Sequence, residues 1–318
     1  MTFKLMRNGT IIEAGDAVIS IYDHSFLYGI GLFETFRTYN GKPYLLNRHL
    51  DRLQIGCEQL GLQVTISHEQ LVEWITTLLA ANRLADAYIR LTVSCGSGEL
   101  GLPQSDYEQP VVWLMMQQLP AYRRWDSVIF PGRQLKLLTT NRNTPEGKVR
   151  FKSLHFMNNV IGKRELEVFK RKKEEKETNQ YRTEQLRHHE LQFAGIEGLM
   201  LTEQHYIAEG LVSNIFFVHQ KVIKTPAIAT GILPGITRQR VLELAEQAGY
   251  DTEEGLYTWA ELLQADEIWL TNSIQELVPV TLLIDMRNES HVVSEGTIGT
   301  VTKQLLHQYQ TEANNGRL

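Results

Sequence analysis

The chain has 318 residues, 42% of them hydrophobic and 22% charged, and a formal net charge of −5. That composition suits one or two globular domains with proper cores, and it gives no general reason to expect nucleic acid or an anionic membrane as partner. No apolar run approaches the roughly 18 residues of a membrane span, and the charged N-terminus lacks the apolar stretch of a signal peptide. Cys57 and Cys95 lie in no metal-ligand spacing, and two reduced thiols point to a cytoplasmic protein.

Residues 1–20 read as short strands around an Asn8-Gly9 turn, and 32–46 as two more strands around Asn40-Gly41. Leu50, Leu53, Cys57 and Leu60 recur at three- and four-residue steps, which predicts a helix over about 47–61. A second amphipathic helix is expected over 68–82, then strands at 87–95 and 110–117. This first part, 1–118, reads as a small α+β domain, and 119–126 as a linker where the periodicity breaks around Pro120.

The second domain, 127–318, opens with strand-like segments at 127–140 and a helix from about 154 to 170. Residues 170–190 hold only Tyr181 and Leu186 as apolar side chains, so they form a solvated helical extension or a surface insertion. Strand signals return at 197–202, 214–218 and 267–271, with helices near 236–248 and 259–264.

Four segments can carry chemistry, and each has an ordinary structural reading. If 148–153 is extended, Lys148, Arg150 and Lys152 share one face; an exposed edge strand protected by lysines looks the same. In Ala208-Glu209-Gly-Leu-Val-Ser-Asn214 a carboxylate precedes an apolar strand, as in many turns. In Leu233-Pro-Gly235-Ile236-Thr237 the start of a helix leaves backbone N–H groups free for an anion, though helices also start this way without ligands. In Thr271-Asn272-Ser273-Ile-Gln-Glu276 a hydroxyl follows a strand, or Ser273 and Glu276 close a capping box.

Nucleotide-loop, serine-hydrolase and zinc-protease motifs do not occur. His24, His49, His155, His188, His189 and His205 show no metal-ligand spacing and read as surface or packing residues, so no metal is expected.

Two further stretches are Asp23-His-Ser-Phe-Leu-Tyr-Gly29-Ile-Gly31-Leu-Phe33-Glu34-Thr35-Phe-Arg37 and His49-Leu-Asp-Arg52-Leu53. Together with Asn143-Thr-Pro-Glu-Gly-Lys148-Val-Arg150-Phe-Lys152-Ser and the three segments that follow it, they resemble the class IV aminotransferase family. These are the fold-type IV enzymes that use pyridoxal 5′-phosphate (PLP). The resemblance runs from about residue 4 to 305, interrupted by the charged insertion.

It implies an α+β chain of two domains, a small one and a larger one with a barrel-like β core. It also implies PLP carried on Lys152, Arg52 on the cofactor phosphate and Glu209 on the pyridine nitrogen. Ile236 and Thr237, through backbone N–H groups, and Ser273 complete the phosphate site. A homodimer is the family's usual assembly.

Within the family, branched-chain enzymes carry a glycine where this chain has Thr35. D-amino acid enzymes carry a carboxylate-binding arginine where it has Cys95. The motifs instead resemble those of aminodeoxychorismate lyases, which implies a β-elimination giving 4-aminobenzoate and pyruvate, a reaction of folate biosynthesis. Phe33, Arg37, Arg90 and Lys148 are then candidates to meet the substrate, a dicarboxylate.

Overall fold

The computed structural model describes residues 3–119, 132–180 and 195–316. They form two compact units. The first comprises Met1–Tyr122, Phe151–His155 and Thr311–Leu318, and the second Arg123–Arg150 and Phe156–Gln310. The first unit thus takes two short pieces from the stretch assigned above to the second domain. Residues 120–126 of the expected linker lie outside the described residues.

In the first unit the elements are β1 (Lys4–Arg7), β2 (Thr10–Glu13), α1 (His24–Tyr28), β3 (Gly31–Tyr39), β4 (Lys42–Pro43), α2 (Leu46–Gln59), α3 (His68–Asn82), β5 (Ala87–Ser94) and β6 (Val111–Gln118). The six strands pair antiparallel in the order β2-β1-β6-β5-β3-β4. Both Asn-Gly pairs make two-residue hairpin loops, between Arg7 and Thr10 and between Tyr39 and Lys42. All four loop residues have positive φ, the twist-matching turn that Asn-Gly favours.

The β3–β5 register sets Phe33 opposite Thr92, Thr35 opposite Arg90 and Arg37 opposite Tyr88, so these six share one face of the sheet. Leu32, Glu34 and Phe36 point the other way. That face is covered by α2 and α3, whose Leu53, Cys57, Leu71, Ile75 and Leu78 join Leu32, Phe36, Ile89 and Leu91 in one core. Ser67 caps α3 by accepting from the Gln70 N–H at 3.1 Å.

The piece Phe151–His155 lies along the start of β3. The Phe33 N–H donates to the Lys152 carbonyl at 2.9 Å, and the Leu154 N–H donates to the Gly31 carbonyl at 3.0 Å. Ser153 bridges Leu32. Lys148 and Val149 lie in a bend and Arg150 follows it in irregular chain, so none of the three is strand. Lys148 is exposed while Arg150 is buried, donating to the carbonyls of Gly231 and Asn143, so the three cations share no face.

The second unit holds β7 (Arg133–Leu137), α4 (Met157–Gln180), β8 (Ile196–Leu201), β9 (Ile207–Gly210), β10 (Asn214–His219), β11 (Val222–Pro226), α5 (Ile236–Gln247), β12 (Thr252–Gly255), α6 (Trp259–Leu262), β13 (Glu267–Asn272), β14 (Glu276–Ile284), β15 (Ser290–Val292) and most of α7 (Thr300–Asn314). The sheet runs β12-β11-β10-β13-β14-β7-β8-β9, with β15 added on β14. Three neighbouring pairs are parallel, β11 with β12, β14 with β7, and β7 with β8.

Strand β9, at one end of this order, lies against β10 and β11 near the other end, so the sheet curls as the barrel-like core requires. Its interior is filled by Leu135, Leu199, Ile215, Phe217, Ile268, Leu270 and Val278. Helix α4 starts three residues later than expected and continues to Gln180, carrying the first part of the charged stretch as helix. The rest of that stretch lies outside the described residues. No described helix is long and apolar enough to cross a membrane.

Candidate active site

In the first unit the Lys152 ammonium stands 4.8 Å from the centroid of the Phe33 ring, and the Arg90 guanidinium lies 3.7 Å from the same centroid. Arg37 stacks on Tyr39 at 4.5 Å. Phe33, Arg37 and Arg90 therefore belong to one sheet face, with Lys152 over its Phe33 end. Burial lowers the Arg90 guanidinium from its ordinary value, opposed by Tyr88. Lys148 is exposed and belongs to the second unit.

On the opposite face of the same strand, Arg52 grips Glu34 with two bonds, Nε to Oε1 at 2.8 Å and Nη2 to Oε2 at 2.7 Å. His49 adds a third, Nδ1 to Oε2 at 2.6 Å. Glu34 is 1% exposed and His49 2%. Burial alone would raise the Glu34 carboxyl, but the Arg52 charge and the bonds from His49 and Arg52 hold it at about 2. Burial pushes the His49 imidazole below its ordinary value against the pull of Glu34. His49 is thus a packed core residue, as the sequence suggested, but one engaged in a charge network that spacing alone did not reveal.

In the second unit Glu209 is buried, and three donors hold its carboxylate. Arg142 Nε donates to Oε1 at 2.8 Å; Asn214 Nδ2 and the Leu233 N–H donate to Oε2 at 3.2 and 3.0 Å. Arg142 is itself fixed through Nη1 to the side-chain oxygens of Asn143 and Asn158 at 2.9 and 2.8 Å. Arg142 and Asn214 lie in or beside the segments marked out in the sequence, but the sequence assigns neither a role. Their signal was an arginine before an Asn-Thr-Pro turn and an asparagine opening a strand, both too common to read.

Helix α5 is preceded by Gly235 at its N-cap, which offers no side chain, so among the described residues no capping side chain binds the first-turn N–H groups of Ile236 and Thr237. A Cβ on Gly235 would lie 2.0 Å from Asn214 Oδ1, so only glycine lets the helix start approach Asn214 this closely. Thr237 Oγ1 donates to Ser273 Oγ at 3.3 Å, bringing the two expected hydroxyls together. The capping box suggested for Ser273 and Glu276 does not form. Glu276 has φ of 62°, and Asn272 Oδ1 accepts from the N–H groups of Ile274 and Gln275 instead. The Thr271 hydroxyl, next to this turn, is buried and without a partner among the described residues.

These donors suit a phosphate-bearing aromatic cofactor. An open helix N-terminus and two neighbouring hydroxyls suit an anion, and a buried carboxylate with a fixed arginine behind it suits a protonated ring nitrogen. One other group of ligand-type side chains occurs among the described residues. Asp285, Glu289 and His291 bring their atoms within 4.8 Å of one another in the β14–β15 hairpin. The Lys136 ammonium donates to the Asp285 carbonyl there, a poor setting for a metal cation.

Comparison with known proteins agrees with the fold. The chain matches the profile of the family described as amino-transferase class IV over residues 31–170 and 176–283. It is 36% identical over 310 residues to the aminodeoxychorismate lyase of Bacillus subtilis, covering 97% of this chain and 94% of the relative. Among solved structures it resembles 4-amino-4-deoxychorismate lyase from Pseudomonas aeruginosa, with a TM-score of 0.74 and 26% identity, covering 98% of this chain and 99% of the other. The branched-chain amino acid aminotransferase from Escherichia coli shares the fold at a TM-score of 0.78 and 24% identity, over 99% of this chain and 95% of the other. With a profile match over more than half of the chain and 36% identity to a relative along nearly its whole length, the chain belongs to the class IV aminotransferase family.

Proposed function

We propose that the protein is a PLP-dependent 4-amino-4-deoxychorismate lyase, releasing 4-aminobenzoate and pyruvate. The observation that carries the choice within the family is Cys95. Where D-amino acid enzymes of the family place a carboxylate-binding arginine, this chain has a thiol that is 2% exposed and donates to the Ile30 carbonyl at 3.1 Å. Such a group offers a substrate carboxylate no charge. The identity to the Bacillus subtilis lyase along nearly the whole chain supports the same reading.

Lys152 is the residue that carries PLP. Bound there, the cofactor supplies an electron sink for the pair released when a C–H bond breaks next to the substrate nitrogen. Glu209, backed by Arg142, keeps a proton on the ring nitrogen. The Ile236 and Thr237 N–H groups, the Ser273 hydroxyl and Arg52 bind the phosphate.

The Lys152 amine would be the base that takes the proton from C4 of the substrate ring. The C–O bond to the enolpyruvyl group would then break with its electron pair leaving on the enolpyruvyl oxygen, the ring would become aromatic, and the enolate would take back the proton held by Lys152 to leave as pyruvate. Arg90 and Arg37, on the Phe33 face, and Lys148 are the cations that would bind the substrate carboxylates.

A second reading is transamination, favoured by the shared fold with the branched-chain enzyme; it would need an oxoacid acceptor. We also propose a homodimer. The exposed Val18, Ile19, Ile21, Phe26, Leu100 and Leu102 of the first unit are apolar side chains that a second copy would cover.

The test supplies purified protein with 4-amino-4-deoxychorismate generated by a synthase from chorismate and glutamine. Equal amounts of 4-aminobenzoate and pyruvate without added oxoacid are expected, and Lys152→Ala should abolish them. Neither product from a PLP-loaded protein that consumes 2-oxoglutarate with amino acids would replace the lyase by the transaminase.

A further inference from the structure

Arg52 is a long side chain on α2, and an arginine left to itself would lose rotamer freedom on gripping a ligand. Here that freedom is already gone in the folded unit. Glu34 occupies Nε and Nη2 in the paired geometry of a carboxylate–guanidinium fork. His49, three residues earlier on the same helix, holds the carboxylate from the side, its ring 5.2 Å from Phe36. The two positioning groups are almost fully buried, whereas the Arg52 side chain keeps 14% of its surface.

A buried carboxylate beside an arginine is not explained by stability alone. Well-packed apolar residues in its place are often neutral or stabilising. It also partly offsets the positive charge that an anion would seek, so its value to an anion site lies in geometry. Lys152 is close enough for its charge to act on His49, which ties this network to the lysine strand.

We propose that Glu34 and His49 are positioning residues that fix the Arg52 guanidinium for the cofactor phosphate, so that phosphate affinity depends on them although neither touches the phosphate. This rests on the role given above to Arg52.

The experiment strips the protein of cofactor and measures the dissociation constants of PLP and of pyridoxal, which lacks the phosphate, by the change in cofactor absorbance. Their ratio isolates the phosphate contribution. Arg52→Ala should shrink the ratio at least ten-fold. Glu34→Gln, which keeps shape but not charge, should shrink it by a similar factor and leave pyridoxal binding unchanged. The double variant should be no worse than Arg52→Ala alone.

If Glu34→Gln does not fold, His49→Asn, which retains a donor towards Glu34, should keep most of the ratio, and His49→Ala should lose several-fold. A full ratio in Arg52→Ala would remove Arg52 from the phosphate site. A reduced ratio in Arg52→Ala beside full ratios in folded Glu34 and His49 variants would overturn the positioning role alone.

Discussion

Arg142 and Glu209, 67 positions apart in the chain, meet through a 2.8 Å bond between Nε and Oε1, and both are almost entirely buried. Removing the cation leaves a buried carboxylate with only Asn214 and the Leu233 N–H. Arg142→Ala should therefore lower the stability of the second unit by about 3 kcal/mol. Replacing both residues by alanine should cost less than the sum of the two single changes, because no orphaned charge remains. Urea denaturation of the four proteins measures this, and strictly additive losses would argue that the pair is not coupled.

Glu34 gives the first unit an acid-sensitive stability. Its carboxyl falls from an ordinary 4.5 to about 2, so the stabilisation is complete above pH 4.5 and is lost as pH falls towards 2, where the folded form also takes the proton. The size is about 3 kcal/mol. His49, lowered from 6.5, adds a loss of the same sign that begins below pH 6.5. Denaturation midpoints for wild type should drop steeply between pH 6 and 3, and those for Glu34→Gln should drop less. Parallel curves would mean that Glu34 is not the acid-labile group.

Gly235 is a packing requirement. A methyl group there needs Asn214 Oδ1 to move, and the Asn214 amide donates both to Glu209 and to the Leu233 carbonyl. Gly235→Ala should cost about 1–3 kcal/mol and weaken PLP retention through gel filtration. Gly15→Ala, at an exposed site with nothing within 4 Å, is the control and should change neither.

Both thiols should be inert in the native protein. Burial, first among the causes, pushes Cys57 up to about 12 and Cys95 up to about 11, so the reactive thiolate is scarce at pH 8. A colorimetric thiol reagent should find two cysteines in urea and almost none without it. Rapid labelling of the native protein would show that one of them opens to solvent.

The sequence made the helices legible where period and cap agreed. Helix α3 runs over the 68–82 read from its apolar spacing, and α5 starts after Pro-Gly as expected. It hid β14, because Pro279 inside its apolar run argues against a central strand. The strand is tolerated because Pro279 pairs with Trp269 just before the pairing with β7 begins at Val280. The alternation of Lys148, Arg150 and Lys152 suggested one cationic face, but Arg150 is turned into the loop around Gly231 by backbone carbonyls that no pattern reveals. For the site, the family resemblance supplied Lys152, Glu209, Thr237 and Ser273. The partners that hold Glu209, Arg142 and Asn214, and the grip of Arg52 on Glu34, arise from contacts between residues apart in sequence and are visible only in the folded chain.

The five residues around Lys152 are an island. They pack with the first unit, while the chain on both sides of them, Arg123–Arg150 and Phe156–Gln310, belongs to the second. No single cut in the gene can therefore yield the first unit whole. A fragment ending near residue 119 would leave the Phe33 N–H without the Lys152 carbonyl and would lack the lysine altogether. Attempts to express that half alone, or to exchange it between relatives at one crossover, should produce protein whose β3 edge is open and prone to pair with other chains.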